Sequence, residues 1–268
     1  MKLDTPNLDR LRSYLDPIVD RFEQADFIKD DPISIPHGFE DPDDQSIIGL
    51  FAALLAWGRR DIMLAKLVQL CERMDYKPAE FVRTYSASSS RSKLEGFVHR
   101  TFNANDAEGL TLSLQALLTD SSLEDIFRRG MKAESPIESG IQYLSEQIVQ
   151  NVPGQPKRIQ KHFARPSSGS SCKRWNMYLR WMVRPGPVDL GLWKSIPARE
   201  LLLPLDVHSG RQARCIGLIN RNANDWKATL ELTKACQQLN IEDPARYDFA
   251  LFGTGAAGEQ LKFPISES

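Results

Sequence analysis

The stretch that decides the fold is KRIQKHFARPSSGSSCKRWNMYLRW, which covers residues 157–181. Small residues from Ser167 to Ser171 permit a tight turn with exposed backbone amides. A helix is expected to begin near Cys172, and Lys157 to Arg165 predict a shorter helix before the turn. The stretch therefore predicts a helix, a hairpin and a second helix. Exposed amides at the start of a helix form a natural binding site for a phosphate group.

Charge is distributed unevenly along the chain. Residues 1–50 hold 12 Asp and Glu against 5 Lys and Arg, although the 268-residue chain has a net charge of only −1. Residues 147–188 contain no carboxylate and eight basic residues, which we call the basic strip. They are Lys157, Arg158, Lys161, Arg165, Lys173, Arg174, Arg180 and Arg184. Such a strip attracts polyanions, most commonly nucleic acid, unless it pairs with the acidic N-terminal segment.

Composition excludes several classes of protein. Hydrophobic residues make up 41% and charged residues 26%, which is typical of a globular chain with one domain or two lobes. No stretch approaches the roughly 18 apolar residues of a membrane span. Met1 to Asp4 lack the pattern of a secretory signal. The four cysteines are far apart, so neither a zinc ribbon nor a disulfide framework is indicated, and we expect a cytoplasmic protein.

The rest of the chain favours helices. Apolar residues spaced by three and four from Leu8 to Phe22 predict an amphipathic helix, which Pro17 restarts or kinks. Residues 47–57 predict a nearly all-apolar core helix. Ser135-Pro136-Ile137-Glu138 predicts another helix start, because it combines a Ser cap, a first-turn Pro and a Glu three residues after the cap. Strand signals are sparse, and we expect an all-α fold.

Asp206 follows a run, Leu201 to Leu205, that is predicted to be extended and buried. The position suits a helix N-cap, and capping alone would explain the aspartate. The functional interpretation is a carboxylate fixed at the mouth of a cleft, where it stabilises positive charge or activates an attacking group.

Lys173 is expected in the first turn of the second helix, where the positive end of the helix disfavours a cation. This field and the neighbouring Arg174 favour a neutral amine, which can act as a nucleophile. The alternative is a lysine that contacts phosphate or is merely solvated.

Two segments resemble the helix-hairpin-helix (HhH-GPD) DNA glycosylases. Gly169-Ser-Ser-Cys-Lys173 is similar to their hairpin, in which a glycine-any-glycine turn is followed two residues later by the catalytic lysine. Pro204 to His208 is similar to the segment that carries their catalytic aspartate, and residues 243–253 to their closing helix. From Gly49 onward the chain resembles a bacterial family of uncharacterised proteins distantly related to these enzymes.

The chain departs from that pattern in three ways. Ser171 occupies the place of the second hairpin glycine. Lys173 and Asp206 are 33 residues apart, longer than in the endonuclease III-like members and similar to archaeal 8-oxoguanine glycosylases. The closely spaced cysteines of the endonuclease III cluster are absent, so we expect no iron–sulfur cluster and no other cofactor.

The resemblance implies a base-excision repair glycosylase with AP lyase activity, with double-stranded DNA containing a damaged base, for example 8-oxoguanine, as its substrate. The target nucleotide would be flipped into a cleft between two helical lobes. Lys173 would attack C1′ and form a Schiff base, and Asp206 would activate it. The lobes would be residues 40–185, and residues 1–39 with 186–268. A monomer is expected.

Further residues are candidates for DNA contact. They are Gly169, Ser170, Ser171, Arg174, Arg59, Arg60, Arg165, His208 and Arg211. Trp175 and Trp193 are candidates for stacking on a base, with core packing as the alternative. Two other functions stay open: a non-catalytic helix-hairpin-helix DNA-binding module, and a helical scaffold that binds a protein through its acidic N-terminal segment.

Overall fold

The structure, a computed structural model, describes residues 5–154 and 156–263 and is predominantly helical, as predicted. The elements in chain order are α1 (Thr5–Phe22), α2 (Ala25–Ile28), α3 (Ser34–His37), α4 (Pro42–Leu55), α5 (Arg60–Arg73), α6 (Pro78–Arg83), α7 (Arg91–Leu94), β1 (Val98–His99), β2 (Phe102–Asn103), α8 (Ala104–Leu117), α9 (Leu123–Gly130), α10 (Pro136–Gln150), α11 (Pro156–Ile159), α12 (Lys173–Val183), α13 (Val207–Cys215), α14 (Trp226–Leu239) and α15 (Tyr247–Ala256). Met1 to Asp4, where the absence of a leader was predicted, lie outside the described residues.

Contacts divide the chain into two units. The middle unit runs from residue 28 to 165, and the terminal unit combines the residues up to 27 with those from 166 onward. This division differs from the expected lobes of 40–185 and of 1–39 with 186–268. The hairpin turn, α12 and Asp206 all belong to the terminal unit. The physical reason is that Arg180 of α12 forms an ion pair with Asp248, and Arg184, which follows the helix, forms one with Asp243.

The terminal unit is built around α15, which packs against α1 and α13. The predicted apolar stripe of α1 is confirmed, since Leu11, Leu15 and Val19 are fully buried. Pro17 lies inside α1, which continues through it. The ring of Phe22 packs on Gly253 of α15, where a Cβ atom would lie 2.4 Å from it.

The middle unit has α4 at its core. Every residue from Ile47 to Leu55 is buried, as the apolar run predicted. Its start is fixed by Asp41, whose carboxylate accepts the backbone N–H groups of Asp43 and Asp44 at 2.8 and 3.2 Å. Among residues 5–154 and 156–263, no helix is both long enough and apolar enough to cross a bilayer.

Two local features of the middle unit were not predicted. β1 and β2 form an antiparallel ribbon that pairs Val98 with Asn103. Its turn contains Arg100 at φ +55°, a left-handed conformation in which glycine or asparagine is usual, so the sequence lacks the hairpin signal. Ser135 stands at the N-cap of α10, but its side chain makes no capping hydrogen bond.

Candidate functional site

Lys173 and Asp206 meet within the terminal unit. The amine Nζ of Lys173 lies 3.8 Å from Oδ2 of Asp206, and the two side chains are 24% and 22% exposed. This distance is longer than a hydrogen bond. Solvent can reach both groups, because each side chain is partly exposed. The structure thus brings together the two residues that the sequence predicted to act as one pair.

Asp206 is held by the first turn of α13. Its Oδ1 accepts the backbone N–H groups of His208 and Ser209 at 2.8 and 3.0 Å. The Ser209 hydroxyl in turn accepts the backbone N–H of Asp206 at 2.9 Å, which completes a capping box. Because the cap uses Oδ1, Oδ2 remains directed at the amine. Capping and pairing therefore involve different oxygens of one carboxylate.

The hairpin presents Lys173 at the start of α12. Gly169 adopts φ +76°, and no atom beyond its chain neighbours lies within 4 Å of where its Cβ would be. Cys172, the N-cap residue, adopts the left-handed φ of +49° although it is not glycine. Such a conformation costs about 1–2 kcal/mol, and here it sits directly before the candidate nucleophile. Ser171 donates from its hydroxyl to the carbonyl of Leu205 at 3.2 Å.

Helix α15 provides a third side of the site, which sequence reasoning missed. The ring centroid of Phe252 lies 5.8 Å from Nζ of Lys173. The imidazole of His208 meets the same ring edge-on at 6.1 Å, and its Nδ1 lies 3.2 Å from the Gly255 carbonyl. The resemblance of residues 243–253 to a closing helix was the available signal, but it identified no residue.

Asp248, one turn before Phe252 on α15, is a buried carboxylate coupled to the pair. It accepts a hydrogen bond of 2.5 Å from Arg180. Burial raises the pKa of Asp248 to about 7 against the opposing charge of Arg180, and the charges of Asp206 and Lys173 also act on it. The site therefore has a second acid behind it, close enough to respond electrostatically to the amine and the carboxylate.

Two members of the basic strip point inward. Arg180 also donates to Asp189 at 3.2 Å, and Arg184 binds Asp189 and Asp243 at 3.0 and 2.8 Å. Arg184 also pairs with Glu23 of the acidic N-terminal segment at 2.5 Å. The interpretation of the whole strip as a polyanion-binding surface is therefore corrected for these two arginines, because their charges are neutralised within the terminal unit.

The aromatic candidates for base stacking are core residues. Trp175 and Trp193 are 2% and 4% exposed. The ring of Tyr178 meets both of them, at centroid distances of 6.2 and 5.5 Å. Neither indole offers a face to a base, so core packing replaces stacking as their role.

The remaining candidates of the terminal unit differ in exposure. Arg211 on α13 and His208 are exposed, and Ser170 and Ser171 in the hairpin are half-buried. Arg174 is half-buried, and burial lowers the pKa of its guanidinium. Because burial destabilises the charged form of the guanidinium, an anion placed beside Arg174 would stabilise that form.

The other candidates lie in the middle unit. Arg59 is the N-cap residue of α5 and pairs with Asp61 at 2.7 Å, with 75% of its side chain exposed. Arg60 is exposed in the first turn of the same helix, and Arg165 is half-buried. Gly58, at φ +93°, forms the turn that leads into α5.

Comparison with known proteins places most of the chain in one family. The family model described as "Protein of unknown function (DUF2400)" matches residues 31–257. No curated protein and no solved structure matches the chain.

Proposed function

We propose that the chain, which belongs to the DUF2400 family, is a DNA glycosylase with AP lyase activity and an HhH-GPD-like fold. The observation that carries the proposal is the approach of Lys173 Nζ to Asp206 Oδ2, 3.8 Å apart at the end of a hairpin. An amine and a carboxylate so placed can supply the nucleophile and the charge-stabilising group for cleavage of a glycosidic bond.

The reaction follows from the two groups. The neutral amine of Lys173 attacks C1′ of the flipped nucleotide while the bond from C1′ to the base breaks, and the base departs with the electron pair and takes up a proton. Oδ2 of Asp206 stabilises the positive charge that develops on the sugar. It then accepts a proton from the attached nitrogen and passes it to O4′ as the C1′–O4′ bond breaks, which opens the sugar ring and leaves a Schiff base between C1′ and the lysine nitrogen. Loss of a proton from C2′ expels the 3′ phosphate and cleaves the strand.

The double role of Asp206 supports this assignment. The amides of His208 and Ser209 hold Oδ1, so the carboxylate keeps its orientation without help from the substrate. A catalytic group fixed before the substrate arrives needs little reorganisation during the reaction. Lys173 is 24% exposed, which leaves it accessible to a sugar carbon.

DNA contact is assigned to the surface around the pair. The hairpin from Gly169 to Ser171, with Arg174, would bind phosphate, and the exposed Arg211 and His208 extend that surface. The buried Arg180 and Arg184 take no part. An oxidised purine such as 8-oxoguanine is the lesion we propose to test first.

A non-catalytic DNA-binding module is the second candidate. It is favoured by one observation: the capping box of α13 fully accounts for an aspartate at position 206. In that case the hairpin would bind DNA, and the lysine would contact phosphate without forming a covalent bond.

Borohydride trapping on duplexes with an abasic site, 8-oxoguanine or an oxidised pyrimidine distinguishes the two functions. We expect a covalent adduct that Lys173→Gln abolishes while DNA binding is retained. Lys194→Gln, which replaces an exposed lysine of the same unit, should trap normally. Salt-dependent binding without any adduct would favour the DNA-binding module. Absence of salt-dependent binding would contradict both functions and favour a protein-binding scaffold.

A further inference from the structure

Two turns of the middle unit meet at a surface that the proposed reaction does not use. One follows α4 and covers residues 57–60, and the other is the turn of the ribbon at residues 100–101; we call them the paired turns. Nε2 of His99 lies 3.1 Å from the carbonyl oxygen of Trp57, and the two rings meet edge-on at 5.7 Å. These contacts fix the ribbon against the segment that follows α4.

The side chain of Arg100 is held between the two turns. Its Cζ lies 5.1 Å from the centroid of the Trp57 ring. A Cβ atom at Gly58 would lie 3.1 Å from Cδ and 3.2 Å from Nη1 of Arg100, so glycine leaves the room that this side chain occupies. Arg100 is nevertheless exposed. Because a guanidinium that stacks on a ring keeps its N–H donors at its edge, the group is oriented in advance for an acceptor that arrives from solvent.

Arg100 holds this position at a conformational cost. Its φ is +55°, in the left-handed region, where a residue other than glycine costs about 1–2 kcal/mol. The first position of such a two-residue turn usually carries glycine or asparagine. Either residue would form the turn at a lower cost, so the arginine indicates a use for its side chain.

Cations outnumber carboxylates at the paired turns. Arg59 pairs with Asp61, but Arg60 and Arg100 form no ion pair with any of the described residues. Lys161 adds a third cation of this kind, since its Nζ donates to a carbonyl oxygen of the ribbon turn at 3.1 Å and pairs with no carboxylate in the described part of the chain. All three are exposed. Because like charges gathered on adjoining segments repel one another, a bound anion would stabilise them.

The arrangement suits a phosphodiester backbone better than a single small anion. The three cations come from the start of α5, the ribbon turn and residue 161, and each is exposed, so they do not enclose one ligand. A DNA strand carries a phosphate at every nucleotide and can offer one to each cation. Arginine and lysine are common partners of such phosphates. The planar guanidinium of Arg100 can also donate two N–H groups to one phosphate.

We propose that the paired turns, together with Lys161, bind the phosphate backbone of DNA, and that Arg100 makes the principal contact. The surface includes neither Lys173 nor Asp206. It deepens the proposed function, on which the choice of DNA as the ligand rests.

Fluorescence anisotropy of the full chain with a labelled, undamaged duplex over a series of salt concentrations tests the surface. We expect Arg100→Gln to weaken binding about fivefold to tenfold at about 0.1 M salt, and to reduce the slope of log Kd against log salt by about 0.9, the contribution of one phosphate contact. Lys161→Gln keeps a donor for the ribbon turn and should have a similar effect. It serves as the test if circular dichroism shows that Arg100→Gln does not fold.

Arg83→Gln is the matched control, because Arg83 is also exposed and its replacement changes the net charge equally. The charge of Arg83 acts on Asp44, in the first turn of α4. The 14 residues of α4 place that turn about 20 Å from the paired turns. Native affinity and slope in the folded variants, or an equal loss in Arg83→Gln, overturn the proposal.

Two further arms identify the ligand and separate this surface from the proposed reaction. Tighter, Arg100-dependent binding of an RNA duplex of the same sequence or of anionic phospholipid vesicles would overturn DNA as the ligand. The other arm is borohydride trapping on the 8-oxoguanine duplex. If the native protein forms an adduct but Arg100→Gln binds DNA normally, only the surface fails. If binding depends on Arg100 but the native protein forms no adduct, only the proposed reaction fails.

Discussion

The hydroxyl of Ser171 donates a hydrogen bond of 3.2 Å to the carbonyl oxygen of Leu205. Ser171 lies two residues before Lys173, and Leu205 immediately precedes Asp206. One bond therefore joins the segment that carries the amine to the segment that carries the carboxylate. The helix-hairpin-helix DNA glycosylases that this segment resembles have glycine at the position of Ser171, and glycine has no side chain that could donate this hydrogen bond.

Ser171→Ala should separate the two segments. We expect a loss of about 1 kcal/mol in the free energy of unfolding, the usual contribution of one hydrogen bond. The rate of borohydride trapping should fall by a larger factor than the affinity for DNA, because Lys173 and Asp206 lose their relative position. Urea unfolding and single-turnover trapping measure the two effects. Ser89→Ala, at an exposed serine of the middle unit, should change neither; trapping at the normal rate in Ser171→Ala would contradict the role of the bond.

Asp206→Asn should remove the chemistry and keep the helix. Asparagine caps a helix about as well as aspartate but carries no charge beside Lys173. We expect unchanged helix content by circular dichroism and at least about a 100-fold loss in trapping rate.

Asp225→Asn is the matched control for that substitution. Asp225 caps α14 by accepting the N–H of Ala228 at 3.0 Å, as Asp206 caps α13. Trapping should survive in Asp225→Asn. Equal losses in the two variants would mean that folding, and not the carboxylate, limits the reaction.

Asp248 makes stability depend on pH. Burial raises its pKa from 3.8 to about 7, so the folded protein holds a proton that the unfolded chain has released over this interval. Since the native state binds more protons, the free energy of unfolding falls as pH rises through this window, by at most about 1.4 kcal/mol per pH unit. The stabilisation is complete below the unfolded pKa and lost above the folded one.

Urea unfolding of the native protein and of Asp248→Asn between about pH 5 and 8 tests this linkage. The stability of the native protein relative to the variant should decrease across the range. Carboxylates such as Asp225, whose pKa is lowered to about 2 by its hydrogen bond with Arg221, titrate below this pH range and do not contribute to the change. Parallel curves for the two proteins would contradict the prediction.

Gly253→Ala should loosen the packing of α1 on α15. The new Cβ would lie 2.4 Å from the ring of Phe22, and the clash should outweigh the helix propensity of alanine. We expect a net loss of about 1–3 kcal/mol in the free energy of unfolding, the usual cost of overpacking. Phe22→Leu in the same chain should restore part of it in a double-mutant cycle. A more stable single variant would refute the predicted clash.

Local signals predicted much of the helical fold. The apolar run from Ile47 to Leu55 and the cap at Asp206 depend on neighbours within one or two turns, and the structure has both. Local signals do not predict every contact, since Ser135 occupies the N-cap position of α10 without making the capping hydrogen bond.

Features that depend on distant partners were not predictable. From the sequence, Arg180 and Arg184 were interpreted as surface charge. Their partners Asp248 and Asp243 lie 68 and 59 positions further along the chain, so no local pattern indicates the pairing. The same holds at the site. Lys173 and Asp206 have local signatures in a hairpin and a cap, whereas Phe252 joins them only because α15 packs beside α13.

Oδ1 of Asp206 caps α13, whereas Oδ2 faces the amine of Lys173. This difference affects how relatives of this chain should be compared. Helix initiation alone is sufficient to preserve an acidic residue at position 206, whether or not a relative carries out the proposed reaction. Lys173 is not needed to start its own helix, since a cation in the first turn opposes the helix dipole. Under the proposed function, position 173 is therefore the more informative marker of which relatives keep the lysine chemistry.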